Sequence, residues 1–186
     1  MSSWRSMKPW KALSRKVHQH SKYRKILDVL FELPDGRQET YSLAHEGRAV
    51  CVLALTPDRQ VILARQFRPG PGILVDELPG GAVDEGESWE AAVRRELLEE
   101  TGFAPQTLIP LGRFLESAYS TIERHGFLAL GCERVAGQEL DPTEFIEIVL
   151  KPLPDFLAQI RAGLCTDCEV AWAALHEAGI VKSTSL

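Results

Sequence analysis

Gly81-Ala-Val-Asp-Glu-Gly-Glu87-Ser-Trp-Glu-Ala-Ala-Val-Arg-Arg95-Glu96-Leu-Leu-Glu99-Glu100-Thr-Gly102-Phe103 is the stretch on which the reading of this chain turns. From Ser88 to Thr101 it reads as a helix, with Ser88 as N-cap and Gly102 as C-terminal stop. Glu96, Glu99 and Glu100 then stand at i, i+3 and i+4, on one face. A free helix would not choose this. Like charges at that spacing repel, and the last turns are where the macrodipole favours cations. An acidic cluster in such a place points to a bound divalent cation, and carboxylate oxygens suit Mg²⁺ or Mn²⁺.

The residues around the helix extend that reading. Gly80 and Gly81 let the backbone come close to an ion, so a carbonyl there can join the carboxylates. Arg95 is the cation on the helix nearest the cluster. It precedes Glu99 by four residues and can reach Glu87, holding both as a second layer of contacts. Hard cations held by several carboxylates have one common use, the neutralisation of phosphate oxygens while water is activated. A further carboxylate outside the helix is then needed to complete the metal shell or take the proton. Glu123, in the loop Ser117 to His125, is the expected group, with Glu116 second.

Gly81, five residues, Glu87, seven residues, then Arg95-Glu96-Leu97-x-Glu99-Glu100-x-Gly102-Phe103 resembles the Nudix hydrolase box at every defining position. Chance matches are on the order of one in 10⁸ per start position. Arg65-Gln-Phe-Arg68, Glu77-Leu-Pro-Gly-Gly81, Asp28 to Gly36, Glu144-Phe-Ile-Glu147 and the final helix are similar to the ADP-ribose pyrophosphatase branch, so the likeness spans roughly 25–180. The resemblance implies an α/β fold, a Nudix-type α/β/α sandwich with a mixed sheet and a small N-terminal antiparallel sheet that helps build a homodimer. It implies hydrolysis of a nucleoside diphosphate linked to a group X, giving a nucleoside monophosphate and X-phosphate. By position, the Gly80 carbonyl, Glu96 and Glu100 become the metal ligands, with Glu99 beside them as ligand or catalytic group. Arg68 would clamp the diphosphate as a planar guanidinium can, and Glu77 would contact substrate. Two positions depart from the branch. It usually reads Pro-Ala-Gly where this chain has Pro79-Gly80-Gly81, and the proline common some 15 residues beyond the box is missing around Ala118.

Composition sets outer limits. A chain of 186 residues with 45% hydrophobic and 25% charged residues is expected to form one globular domain. No apolar run approaches the ~20 residues of a membrane span. Cys51, Cys132, Cys165 and Cys168 form no framework, which suits a reducing cytoplasm, and the C-x-x-C of Cys165 and Cys168 stands without a second pair. Residues 1–25 carry eight basic residues and no acid, so a net charge of −5 leaves −5 − 8 = −13 on the remainder. The expected organisation is a partly ordered basic leader over 1–24 and a single domain over 25–182, with 25–45 in the dimer contact.

Strands are expected near 26–33, 40–43, 49–55, 61–67, 73–78, 108–115, 126–132 and 145–150, and helices near 153–162 and 167–178. The run Ala49 to Leu55 is apolar throughout, as for a strand buried on both faces. ADP-ribose or a related nucleotide sugar is the expected substrate. Dinucleotide coenzymes are the alternative, and a sensor that binds nucleotide without cleaving it is a third reading. The acidic body argues against nucleic acid as the main partner.

Overall fold

The computed structural model describes residues 8–22 and 24–182. The described residues fall into two compact units, 8–47 with 115–122, and 48–114 with 123–182. The first is a three-stranded antiparallel sheet of β1 (Lys11–Gln19), β2 (Lys25–Glu32) and β3 (Gln38–Ala44), in that order. Pro34-Asp35-Gly36 turns β2 into β3, where the Asp35 carboxylate accepts from the Arg37 backbone at 3.1 Å and its Nε at 2.7 Å. Val29 is buried on the same face of this sheet as Phe31 and Tyr41, and Trp10, Phe31 and Tyr41 pack edge to face or tilted against one another. Much of the expected basic leader is therefore strand. β1 is mostly exposed and mixes basic, polar and apolar residues, and its hydrogen bonds to β2 hold it where no apolar alternation announces it. Residues 1–7 of that leader lie outside the described residues.

The second unit is built on β4 (Arg48–Leu55), β5 (Gln60–Arg68), β6 (Ile73–Glu77), β7 (Gly80–Ala82), β8 (Phe103–Ala104), β9 (Thr107–Phe114), β10 (Glu123–Leu130), β11 (Glu133–Arg134) and β12 (Glu147–Pro152). Helix α1 (Trp89–Thr101) follows β7, and α2 (Leu153–Arg161) and α3 (Cys168–Glu177) close the chain. The main sheet runs β12-β5-β4-β10-β9, with β6 paired to β5 and β7 to β4. β4 and β10 are parallel and the other ladders antiparallel, so the sheet is mixed.

Alternation along β4 separates two cores. Val50, Val52 and Ala54 face α1, where they meet Ala92, Val93, Leu97 and Phe127. Cys51, Leu53 and Leu55 face α2 and α3, where they meet Phe156, Ile160, Val170 and Leu175. A sheet with helices on both faces is an α/β/α sandwich, and the near-continuous apolar run of β4 is its cause. Leu97 is fully enclosed, and truncating it to alanine would cost about 2–5 kcal/mol.

Candidate active site

Helix α1 delivers the acids. Ser88 Oγ accepts from the Ala91 N–H at 3.1 Å, and Gly102, at φ +72°, donates its N–H to the Leu98 carbonyl at 2.7 Å. Between these caps, Ala92, Val93 and Leu97 bury one side of the helix. That sets its rotation and turns Glu96, Glu99 and Glu100 toward β7. Arg95 gathers the carboxylates. Its Nε and Nη2 hold the two oxygens of Glu87 at 3.1 and 3.0 Å, and Nη1 reaches Glu96 at 2.8 Å and Glu99 at 3.0 Å. This guanidinium keeps the Glu87 carboxyl below the usual carboxylate range.

Two glycines let β7 press against its neighbours. A Cβ on Gly80 would lie 2.2 Å from the Val50 carbonyl oxygen, so β7 here sits too close to β4 for the alanine of the more usual Pro-Ala-Gly. A Cβ on Gly81 would meet the Glu96 carboxylate at 2.6 Å. The Gly80 N–H donates to Glu100 Oε2 at 2.9 Å. Glu100 is 5% exposed, and burial pushes its carboxyl up to about 8, against the help of that hydrogen bond. Burial also raises Glu96, against the pull of Arg95.

These groups line a cavity of about 390 Å³. Its wall includes Glu96, Glu99, Glu100 and Asp84, and also three acids from the segment before β12, Glu139, Asp141 and Glu144. Seven carboxylates therefore face one arginine, Arg95. Among the described residues, no three such side chains already converge as a metal cage, and Arg95 holds Glu87, Glu96 and Glu99 instead. The donor set nonetheless fits a hard divalent cation: oxygen ligands, excess negative charge, and the Gly80 backbone held against the Glu100 carboxylate. Glu139, Asp141 and Glu144 are absent from the site expected on the sequence. Their signal was the Asp141-Pro-Thr-Glu144 turn, in which the Asp141 N–H donates to Glu144 Oε2 at 3.0 Å and the Glu144 N–H to the Asp141 carbonyl at 2.9 Å.

Arg68 and Glu77 come together on β5 and β6. Arg68 Nε donates to Glu77 Oε2 at 2.5 Å, while Glu77 is 1% exposed and its Oε1 is buried with no hydrogen-bond partner. Glu123 lies elsewhere. It opens β10 beside His125, at 3.8 Å, and the His125 ring stacks on Trp89 at 3.8 Å. Trp89 begins α1, so Glu99 is ten residues further along, a rise of about 15 Å. The structure does not bring Glu123 into the acidic cavity. Glu116 lies in the 115–122 segment, which belongs to the first unit. A second, more apolar cavity of about 580 Å³ is lined by Arg65, Ile73, Leu74, Asp76 and Lys151. It lacks the clustered acids.

A NUDIX domain model matches residues 45–180. The chain is 31% identical to the ADP-ribose pyrophosphatase of Bacillus subtilis (strain 168), over 80% of this chain and 83% of that protein. It is 29% identical to the methanol dehydrogenase activator of Bacillus methanolicus, over 70% and 71% of the two chains. A crystal structure of an ADP compounds hydrolase superposes with a TM-score of 0.76 at 22% identity, covering 95% of this chain and 99% of that one, which supports the fold. The matched model takes in the acidic helix, β7 and the 139–144 segment alike, and the chain belongs to the NUDIX family as a Nudix hydrolase similar to ADP-ribose pyrophosphatases.

Proposed function

We propose that the protein is a Mg²⁺- or Mn²⁺-dependent pyrophosphatase. It hydrolyses the diphosphate of ADP-ribose or a related nucleotide sugar to a nucleoside monophosphate and a sugar phosphate. The observation that carries this reading is the acidic cavity, where seven carboxylates meet one arginine and the buried Glu100 accepts from the Gly80 N–H. Glu96, Glu100 and the Gly80 carbonyl, with Glu99, are the groups that would hold the metal. Once bound, it would neutralise phosphate oxygens and make its water more acidic. Arg95 and Glu87 keep those carboxylates in position. Arg68 binds the diphosphate, with Glu77 behind it fixing the guanidinium through Nε. Glu144, which lines the same cavity as Glu96 and Glu100, would take the proton from the attacking water.

The ADP-ribose pyrophosphatase relative supports the substrate class, and the four free cysteines suit a cytoplasmic setting. Among the described residues, no helix is long and apolar enough to cross a membrane. Strands β2 and β3, which make up residues 25–45, are the surface on which we place the homodimer contact.

The test is release of phosphate, through a coupled phosphatase, from nucleotide sugars and dinucleotide coenzymes with and without Mg²⁺. Preferential, metal-dependent cleavage of ADP-ribose is expected. Faster cleavage of a dinucleotide would move the substrate, and no cleavage of any member by metal-loaded protein would leave a nucleotide sensor. Glu144→Gln and Glu123→Gln then locate the base. A loss confined to Glu144→Gln supports the assignment, and a loss confined to Glu123→Gln refutes it.

A further inference from the structure

A helix leaves its last carbonyls without partners inside the helix, and α1 ends with no basic residue in its last turn to meet them. The segment just before the acidic loop meets them instead. The Glu139 N–H donates to the Glu99 carbonyl at 2.9 Å, and Val135 and Ala136 both donate to the Gly102 carbonyl, at 2.9 and 3.2 Å. The Glu100 carbonyl is taken by a side chain. Gln138 Nε2 donates to it at 2.7 Å and, with its other hydrogen, to the Ile146 carbonyl at 3.1 Å.

One amide thus touches three parts of the site. It caps the carbonyl of the most buried acid of the helix, it leads directly into Glu139, and its bond to Ile146 closes the base of the loop 139–145. The tip of that loop is closed by the reciprocal bonds of Asp141 and Glu144. Glu139, Asp141 and Glu144 are exposed and repel one another and the helix acids, so the loop would move away from α1 if its base were free. Both carbonyls accept, and only a two-proton donor between them serves both.

We infer that Gln138 is a positioning residue that clips the acidic loop to the end of the metal-binding helix and so sets the affinity for the divalent cation. This rests on the metal site proposed above, though not on the identity of the substrate. Gln138→Met keeps the length of the side chain and removes both hydrogen bonds. The experiment measures Mn²⁺ binding to wild-type and variant protein by electron paramagnetic resonance. Amide hydrogen exchange of residues 139–145 is followed alongside in the metal-free state. We expect the Mn²⁺ dissociation constant to rise roughly tenfold, with KM for the nucleotide at saturating metal changing by less than about twofold. Exchange over 139–145 should quicken while that of Ala92 to Leu97 stays the same. Unchanged Mn²⁺ affinity, or faster exchange spread over the whole unit, overturns the inference. If the methionine variant does not fold, Gln138→Asn gives the same readings, because its shorter amide cannot span both carbonyls. Protein that binds Mn²⁺ but leaves every nucleotide intact would refute the proposed hydrolysis and leave the role of Gln138 to be judged on binding and exchange alone.

Discussion

Strands β5 and β6 carry two arginine–carboxylate pairs on opposite faces, and the two are finished differently. On the α2 side, Asp76 accepts from Arg65 Nε at 2.6 Å, Arg65 Nη2 at 3.2 Å and Lys151 Nζ at 2.5 Å. Gln159 completes that group by bonding Lys151 at 2.5 Å and the Asp76 carbonyl at 2.7 Å. On the α1 side, Glu77 has one bond, from Arg68 Nε, and an oxygen left buried without a partner. The two carboxylates are neighbours in sequence, so sequence position does not account for the difference. Completion does. A carboxylate with every oxygen satisfied holds two strands together, whereas a buried one with a bare oxygen costs stability and is kept for another reason.

The comparison breaks most readily at Asp76. Asp76→Ala would leave Arg65 and Lys151 without their shared partner. It should destabilise the protein by roughly 2–3 kcal/mol, below the cost of a fully buried pair because Arg65 is partly exposed. Denaturant unfolding would show this, with kcat and KM of the folded fraction unchanged. A loss of activity without a loss of stability would mean the two pairs had been assigned the wrong way round.

Glu77→Gln should do the reverse. It should raise KM about tenfold through misplacement of Arg68 while changing stability by less than about 1 kcal/mol, since a neutral amide is easier to bury than a carboxylate. Arg68→Lys should also raise KM more than it lowers kcat, because a point charge cannot reproduce the fork. Steady-state kinetics on both variants checks the pair. A fall in kcat with KM unchanged would remove Arg68 from substrate binding.

The same contrast carries over to pH in metal-free protein, with opposite signs. Arg65 holds the Asp76 carboxyl below its usual value of 3.8, so the stability it contributes is present above that pH and lost as pH falls. Burial raises Glu100 from 4.5 to about 8, so its contribution is present below pH 4.5 and lost as pH rises toward 8. Melting temperatures of metal-free protein should therefore decline between those pH values, and Glu100→Gln should flatten the decline. An unchanged slope in that variant would mean Glu100 is not the titrating group.

How much of this was legible depends on where the determining contacts lie. Helix α1 could be bounded within a residue because its signals, Ser88 and Gly102, are local. β4 was legible because burial on both faces leaves no room for polar residues. β1 and β7 were not, for opposite reasons. β1 is mostly exposed, without apolar alternation, and exists through its register with β2, while β7 is three residues long, and two of them are glycines that read as a bend. Within the site, the acids of α1 share a helix face and could be grouped by spacing. Glu139, Asp141 and Glu144 reach them only through backbone and Gln138 contacts made some 40 residues later. Glu123, expected as a carboxylate outside the helix in the loop Ser117 to His125, opens β10 and is not among the residues lining the cavity.

The most direct measurement is the rate of ADP-ribose hydrolysis against Mg²⁺ concentration for wild-type protein and Glu100→Gln. Loss of one ligand charge from a buried site should lower turnover by at least about 10²-fold, with the protein still folded and with more Mg²⁺ needed for half-maximal rate. Unchanged, Mg²⁺-dependent turnover in that variant would contradict the account, because the acidic cavity could then not be where the metal works.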